Sequence, residues 1–261
     1  MSSARRYQDF VGSFAPELPR LPLMHTTKGR KFLSIMDGRQ IAVGAMDEHI
    51  KKAVSFHFYG KPSYRPRPEE TYSSQIGSAL FCLILDPEHL PPPCSILPFD
   101  SGGYRERYAD HCDGIELDEF YLPVDGDSPG RLVSAVYGNN YNYFMMNARA
   151  GVKKDIGDFD LHSAGLARLA STDGPKKFDQ RACSIEVHFD VPISLSPDNV
   201  LAVVGPDIAC ENPELIAFAD SLDAERVSYP FDMDEASIRQ RQIRDTVLGW
   251  LVRKNYMAAP R

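Results

Sequence analysis

Residues 76–85, with the sequence IGSALFCLIL, are apolar at almost every position and restrict the folds that this chain can adopt. A short run with apolar side chains on both faces is typical of a central strand, because other elements cover both faces of such a strand. The stretch therefore predicts a sheet with packed layers on its two sides. It contains no side chain that suggests chemistry.

A second strand pattern, in residues 180–193, carries a carboxylate. Apolar residues occupy alternate positions, and Glu186 lies on the other face together with Ser184 and His188. With Arg181 five positions earlier, Glu186 is either a paired surface charge or a group at the floor of a site. Most strand carboxylates face water, so the sequence leaves both interpretations open.

A third stretch, residues 21–44, begins with a short apolar run that ends in His25, Thr26 and Thr27. Apolar residues then recur at helical spacing as far as Gly38, where the helix should end because glycine commonly follows a helix C-terminus. A second short strand comes next. The stretch is thus predicted to form a strand, a polar turn, a short helix and a short strand.

This order of elements resembles the opening of ADP-ribosyltransferase-fold proteins, particularly bacterial toxins and phage-defence proteins that modify nucleic acids. Residues 181–187, RACSIEV, are similar to the late strand of the DNA-modifying group, and the resemblance extends over residues 20–205. In these proteins a histidine after the first strand helps to hold NAD, an aromatic residue stacks on the nicotinamide and a late strand carries a glutamate. The matching NAD-binding positions are His25, Thr26, Thr27 and Tyr59 or Tyr64, and the matching catalytic position is Glu186.

The resemblance implies an enzyme that uses NAD as a co-substrate and transfers ADP-ribose to a macromolecular acceptor. Glu186 would hold the ribose 2′-hydroxyl and oppose the positive charge that develops as the bond to nicotinamide breaks. In the proline-rich loop over residues 60–74, Tyr64 would stack and Arg65 would contact phosphate. Nucleic acid is favoured over protein as the acceptor because four basic residues cluster near the Glu186 strand: Arg168, Lys176, Lys177 and Arg181.

The composition is that of an ordinary globular protein. The 261 residues are 43% hydrophobic and 25% charged, which suits one domain with a core over residues 20–205 and a helical C-terminal extension over residues 206–261. The net charge of -7 argues against strong nonspecific attraction to nucleic acid. Five cysteines without a CxxC pair indicate a reducing compartment, and no apolar run suits a membrane helix, so we expect a cytoplasmic protein.

The remaining chain divides into predicted elements by periodicity and by proline and glycine positions. The acidic segment at residues 109–127 contains His111 and Cys112 but fits no zinc spacing, so we expect no metal site. The other predictions are an irregular arm over residues 1–20, two helices over 128–149 separated near Gly138, helices over 159–170 and 212–222, a strand over 199–204 beside the Glu186 strand, and an amphipathic helix over 234–256.

These patterns together predict an α+β fold with two small, mostly antiparallel sheets, surrounding helices and a C-terminal helix, as the resemblance to ADP-ribosyltransferases implies. The C-terminal helix either docks on the core or offers a surface to a regulatory partner or a second copy of the chain. Four alternatives to the transferase remain: a nucleotide-binding module without catalysis, an NAD glycohydrolase, an RNA 2′-phosphotransferase, and a structural or interaction protein.

Overall fold

The computed structural model describes residues 3–64, 76–171, 180–231 and 236–258, and shows an α+β protein. The strands are β1 Leu23–Lys28, β2 Gln40–Ile41, β3 Ser55–Tyr59, β4 Leu80–Leu85, β5 Ser95–Leu97, β6 Glu186–Phe189, β7 Ile193–Ser194, β8 Val200–Pro206 and β9 Glu225–Tyr229. The α-helices are α1 Ser3–Gly12, α2 Gly29–Gly38, α3 Ser101–Gly103, α4 Ser128–Leu132, α5 Asn140–Met145, α6 Val152–Asp155, α7 Leu161–Ala170, α8 Asp207–Cys210, α9 Pro213–Asp220 and α10 Ala236–Arg253.

One mixed sheet organises the described part of the chain. Its seven strands lie in the order β5, β6, β3, β1, β4, β8 and β9, and a separate small sheet pairs β2 with β7. Neighbouring strands run antiparallel except β8 and β9, which run parallel. The α+β class is therefore confirmed, but the prediction of two small sheets is wrong, because β4 pairs along both of its edges and joins strands into one large sheet.

Within the apolar stretch at residues 76–85, Leu80–Leu85 form β4, and all six of these residues are buried, as predicted. Ile76–Ser78 form a short 3-10 helix instead of strand. On one face the ring of Phe81 stacks on Phe32 of α2, with the ring centroids 4.3 Å apart. On the other face Cys82 and Ile84 are both fully buried. Both faces of the central strand are thus covered by packed side chains, which is the arrangement that its apolar pattern requires.

Gly29 is required where α2 begins, because α2 passes very close to the turn before β4. Its backbone N–H donates to the carbonyl of Ala79 at 2.8 Å. A Cβ atom at position 29 would come within 2.1 Å of the carbonyl oxygen of Ile76, a backbone atom that cannot move aside cheaply. Any larger residue would therefore push α2 away from the sheet.

The N-terminal segment is not an irregular arm, as predicted, but contains helix α1. Tyr7 and Val11 are both buried, and they lie four residues apart on one side of that helix. The prolines at positions 16 and 19 come after the helix, so they do not interrupt it. The burial of one apolar side against the rest of the protein decides the helical conformation here, which short-range patterns did not predict.

Several other predicted elements are confirmed. The helical region over residues 128–149 is interrupted at Gly138, whose φ of 81° is left-handed, and α7, α9 and α10 occupy the three later helical segments. The strand predicted over residues 199–204 is β8. Its predicted position beside the Glu186 strand is wrong, because β8 pairs with β4 and β9 while β6 pairs with β3 and β5.

The C-terminal helix α10 packs on the chain's own core. Val247, Trp250 and Leu251 on its apolar side are buried. The indole N–H of Trp250 donates to the carboxylate of Glu225 at 3.0 Å, and Lys254 forms an ion pair with the same carboxylate at 3.0 Å. The apolar face that could have met a partner is therefore used within the chain.

Candidate active site

Glu186 is the first residue of β6, and its side chain is 1% exposed. In the register of the sheet it lies opposite Phe58 of β3 and Leu97 of β5, which are both buried. Ile185 before it and Val187 after it are also buried. The carboxylate is thus removed from water, and a charged group placed in this way is costly unless donors satisfy it.

Three hydrogen-bond donors meet the Glu186 carboxylate: the backbone N–H of Ser101 at 3.0 Å, the hydroxyl of Ser101 at 2.8 Å and Nε2 of His188. The other ring nitrogen of His188, Nδ1, lies 2.7 Å from Oγ of Ser95. All four residues are buried. Ser101, Glu186, His188 and Ser95 therefore form one continuous chain of hydrogen bonds, which we call the Glu186 network.

The chemistry of the groups orients this network. An ionised carboxylate only accepts hydrogen bonds, so His188 must donate to Glu186 through Nε2–H. Nδ1 of the neutral ring is then an acceptor, and the hydroxyl of Ser95 donates to it. Glu186 thereby selects the tautomer of His188, and His188 in turn selects the direction in which the Ser95 O–H points.

An ion pair holds the segment that delivers Ser101. Asp100 accepts from the guanidinium of Arg181 at 3.1 Å, and the backbone N–H of Asp100 donates to the carbonyl of Arg181 at 3.2 Å. Asp100 also caps the start of α3 by accepting from the backbone N–H of Gly103. Arg181 is 4% exposed, so the residue predicted to bind an acceptor instead positions the loop that supplies donors to Glu186.

His25 and Glu186 lie on opposite faces of the sheet. Met24 pairs with Phe58, and Phe58 pairs with Glu186, so these three side chains share one face. His25 is the next residue after Met24 and points to the other face, where its ring lies 5.0 Å from that of His57. The structure therefore does not bring His25 and Glu186 together around a common ligand.

The two histidines on that other face are both pushed towards the neutral form. His25 Nδ1 lies 3.0 Å from the carbonyl of Phe56, and burial lowers the pKa of His25 to about 4. Burial also lowers the pKa of His57 well below its ordinary value, with a smaller contribution from the nearby His25. Protonation of either ring would place a charge in an apolar layer.

Thr26 and Thr27, which follow His25 in β1 and form the HTT motif with it, point to alternate faces of the sheet. Thr26 lies opposite Cys82 on the face that carries Glu186, and Thr27 is buried on the face that carries His25. The two threonines therefore point in opposite directions. Only one of them can contact any ligand that His25 contacts.

The two tyrosines proposed to stack on nicotinamide have different surroundings. Tyr59 is buried, its hydroxyl accepts from the backbone N–H of Leu21 at 2.9 Å, and burial raises its pKa to about 12. Tyr64 is only partly buried and follows Ser63, whose hydroxyl lies 2.7 Å from that of Ser184, two residues before Glu186. Tyr64 is consequently brought towards the start of β6, whereas Tyr59 is part of the core.

Of the four basic residues predicted to hold an acceptor, two are described and each has a carboxylate partner. Arg168 forms an exposed ion pair with Asp113, and this hydrogen-bonded carboxylate raises the pKa of the arginine. Arg181 is paired with Asp100 as described above. Lys176 and Lys177, like Arg65 of the predicted phosphate loop, lie outside the described residues.

A cleft of about 430 Å³ borders the far end of the Glu186 network. Ser95 lies in its wall, and the side chains around it include Lys51, Lys52, Arg105 and Tyr121. The charge of Glu186 contributes to raising the pKa of Tyr121, after the larger effect of burial. Glu186 therefore influences the electrostatic potential at the wall of the cleft, although its own side chain is buried.

Sequence reasoning identified Glu186 but missed its partners. The alternation in residues 180–193 already placed His188 on the same face, which was an available signal. Ser95 gave no signal, because it lies in an irregular segment after a proline run, and that pattern does not indicate contact with a strand more than 80 residues away. The stretch at residues 100–103 predicted only weakly that its backbone amides could meet an anion, and it did not indicate that the anion would be the Glu186 carboxylate.

Within the described ranges there is no group of three or more His, Cys, Asp or Glu side chains that could hold a metal ion. The same residues include no helix that is both long enough and apolar enough to cross a bilayer. Comparisons with protein-family models, with curated proteins and with solved structures found no match to this chain.

Proposed function

We propose that this protein is an NAD-dependent ADP-ribosyltransferase in which Glu186 is the catalytic carboxylate. It would cleave the bond between nicotinamide and ribose and transfer ADP-ribose to a macromolecular acceptor, with nucleic acid favoured over protein. The resemblance of the HTT motif and of the Glu186 strand to ADP-ribosyltransferases, including toxins and phage-defence proteins, suggests the reaction. The surroundings of Glu186 support the role of that residue.

The observation that carries the proposal is the buried, fully hydrogen-bonded carboxylate of Glu186. The Glu186 side chain is 1% exposed. Removing a carboxylate from water costs free energy, so its interactions with the protein add little net stability. Its three donors, from Ser101 and His188, hold the carboxylate in one orientation. A preorganised negative charge of this kind stabilises a transition state that becomes positive, as the ribosyl group does when nicotinamide departs.

Two residues near the start of β6 support NAD binding at that place. Tyr64 approaches it through the contact between Ser63 and Ser184, and its ring could stack on nicotinamide. Glu186 offers a carboxylate oxygen to a ribose hydroxyl. NAD would therefore bind at the start of β6, near Tyr64. His25 lies on the opposite face of the sheet and would not contact the same ligand.

Replacement of Glu186 by glutamine tests the proposal because it keeps the shape of the side chain and removes its charge. We expect Glu186→Gln to remain folded, to bind NAD and to release nicotinamide roughly 100-fold more slowly than the parent, the scale of one lost electrostatic contact. Asp160→Asn is the matched control, because Asp160 is a buried carboxylate that caps α7 away from the network. Equal nicotinamide release by the parent and by Glu186→Gln would refute the catalytic role.

The destination of the label identifies the acceptor and separates the alternatives. NAD labelled in its adenine half is incubated with the protein together with DNA, RNA or a protein mixture, and the label is followed. Transfer to nucleic acid supports the favoured acceptor, and transfer to water alone indicates an NAD glycohydrolase. Binding of NAD with no release of nicotinamide indicates a nucleotide-binding module.

A further inference from the structure

We propose that Ser95 is a nucleophilic serine, activated by His188 and Glu186, and that the cleft beside it accepts an ester that carries a negative charge. This second activity is independent of NAD. It rests on the far end of the Glu186 network, whereas the proposed transferase reaction rests on the start of β6.

The geometry of the three side chains is the basis of the proposal. Oγ of Ser95 lies 2.7 Å from Nδ1 of His188, and Nε2 of the same ring donates to Glu186. A hydroxyl, an imidazole and a carboxylate in this order are the parts that activate a serine: the ring takes the proton of the hydroxyl and the carboxylate steadies the charged ring. Either ring nitrogen can act as the base, provided that the other one donates to the carboxylate.

Access distinguishes Ser95 from the other members of the network. His188 is 0% exposed and Glu186 is 1% exposed, whereas Ser95 retains 9% exposure. Ser95 is also the member of the network that lies in the wall of the 430 Å³ cleft. Ser95 is thus the residue that joins the buried base to a cavity large enough for a small molecule.

The charge around the cleft suggests the class of substrate. Lys51, Lys52 and Arg105 lie at the cleft, are exposed, and form no ion pair within the described residues. Glu116 and Asp118 also line the cleft, so the cleft has both cationic and anionic side chains in its wall. An anionic ester is the ligand that these cations would orient towards Ser95.

The reaction uses groups that are all present. Oγ of Ser95 attacks the carbonyl carbon of the ester and forms a C–O bond, while its proton passes to Nδ1 of His188. The bond to the leaving alkoxide breaks, and that alkoxide takes the proton from His188. A water molecule then attacks the carbonyl carbon of the acyl group on Ser95 and gives a proton to Nδ1 of His188. The bond between that carbon and Oγ breaks, the carboxylic acid product leaves, and His188 returns the proton to Oγ of Ser95.

A fluorophosphonate probe tests the nucleophile directly. It forms a P–O bond with an activated serine and releases fluoride, and peptide mass mapping then identifies the labelled residue. We expect labelling of the parent at Ser95, none in Ser95→Ala, and labelling roughly 100-fold slower in His188→Asn, the scale of a lost general base. Ser55→Ala is the matched control. Ser55 is buried on β3, which pairs with β6, and its side chain lies on the opposite face of the sheet from Ser95 and His188.

Turnover of two chromogenic esters tests the substrate class. We expect the folded parent to hydrolyse p-nitrophenyl adipate, which is anionic, about 10-fold faster than neutral p-nitrophenyl hexanoate after the uncatalysed rates are subtracted, and we expect Lys52→Met to lose this preference. Label at a site other than Ser95, no label on the folded parent, or labelling that persists unchanged in a folded His188→Asn variant would overturn the proposal. Equal hydrolysis of both esters by the parent would overturn the anionic substrate.

Discussion

At the scale of single residues, burial has different consequences for Glu186 and for His25. Glu186 is buried with three donors, so its charge is satisfied within the protein. His25 is partly buried, with the carbonyl of Phe56 at one ring nitrogen and His57 beside it, and among the described residues no carboxylate favours its charged form. The first arrangement supplies hydrogen-bond donors to a carboxylate, and the second disfavours the charged form of a histidine.

The suppressed charge predicts that acid destabilises the protein through His25. Its pKa of about 4 in the folded state lies below the ordinary value of 6.5, so the unfolded chain binds more protons and stability falls as the pH falls from 6.5 towards 4. Between pH 7 and pH 5 we expect His25 to account for a loss of about 2 kcal/mol in the free energy of unfolding, and His57 adds to it.

Urea denaturation of the parent and of His25→Gln at several pH values measures this loss. The glutamine variant should lose less stability in acid than the parent and should keep the part that His57 contributes. An identical dependence on pH in the two proteins would show that His25 is not the group responsible.

At the scale of elements, the Arg181 ion pair joins the start of α3 to the approach to β6. Arg181 and Asp100 have side chains that are 5% and 13% exposed, and the pair holds Ser101 against Glu186. A buried pair of this kind adds little net stability compared with apolar residues, but removing one partner leaves an uncompensated charge. The pair therefore specifies where the Ser101 segment lies rather than how stable the whole protein is.

A double-mutant cycle tests this positional role. We expect Arg181→Met to lower the free energy of unfolding by roughly 3 kcal/mol, and Arg181→Met combined with Asp100→Asn to cost clearly less than the sum of the single changes. Both single variants should slow nicotinamide release, because Ser101 is no longer held at Glu186. If Arg181 instead served only to bind an acceptor, Arg181→Met would leave stability unchanged.

At the scale of the whole molecule, one large sheet is covered by helices drawn from distant parts of the sequence. Helix α2 follows β1 and packs on β4, and α10 at the end of the described chain buries its apolar side against β4, β8 and β9. The C-terminal helix is thus a part of the core layer. Its loss would expose the sheet to water.

Substitutions in α10 measure this contribution. Leu251 is fully buried, so Leu251→Ala should lower the free energy of unfolding by about 2–5 kcal/mol through lost contacts and a cavity. Val252→Ala, at the next position but only partly buried, should cost about 1 kcal/mol or less. Chemical denaturation compares the two variants. A change in oligomeric state without a change in stability would indicate that α10 meets a partner instead of the core.

Periodicity within each segment was sufficient to determine several elements. Alternation and apolar content predicted β4 and β8, helical spacing predicted α7 and α10, and Asn212 followed by proline predicted the start of α9. Alternation also placed Glu186 and His188 on one face of β6. These properties depend on neighbours along the chain, so the sequence alone contains them.

Contacts between segments were decided only by the tertiary structure. Alternation shows which residues of one strand share a face, but the register with the next strand determines which faces coincide, and a shift of one residue reverses every side chain. The observed register puts His25 on one face of the sheet and Glu186 on the other. It also puts Ser95 beside His188. The sequence therefore determined the local elements and the presence of a carboxylate on β6, whereas the packing of distant strands determined which groups surround that carboxylate.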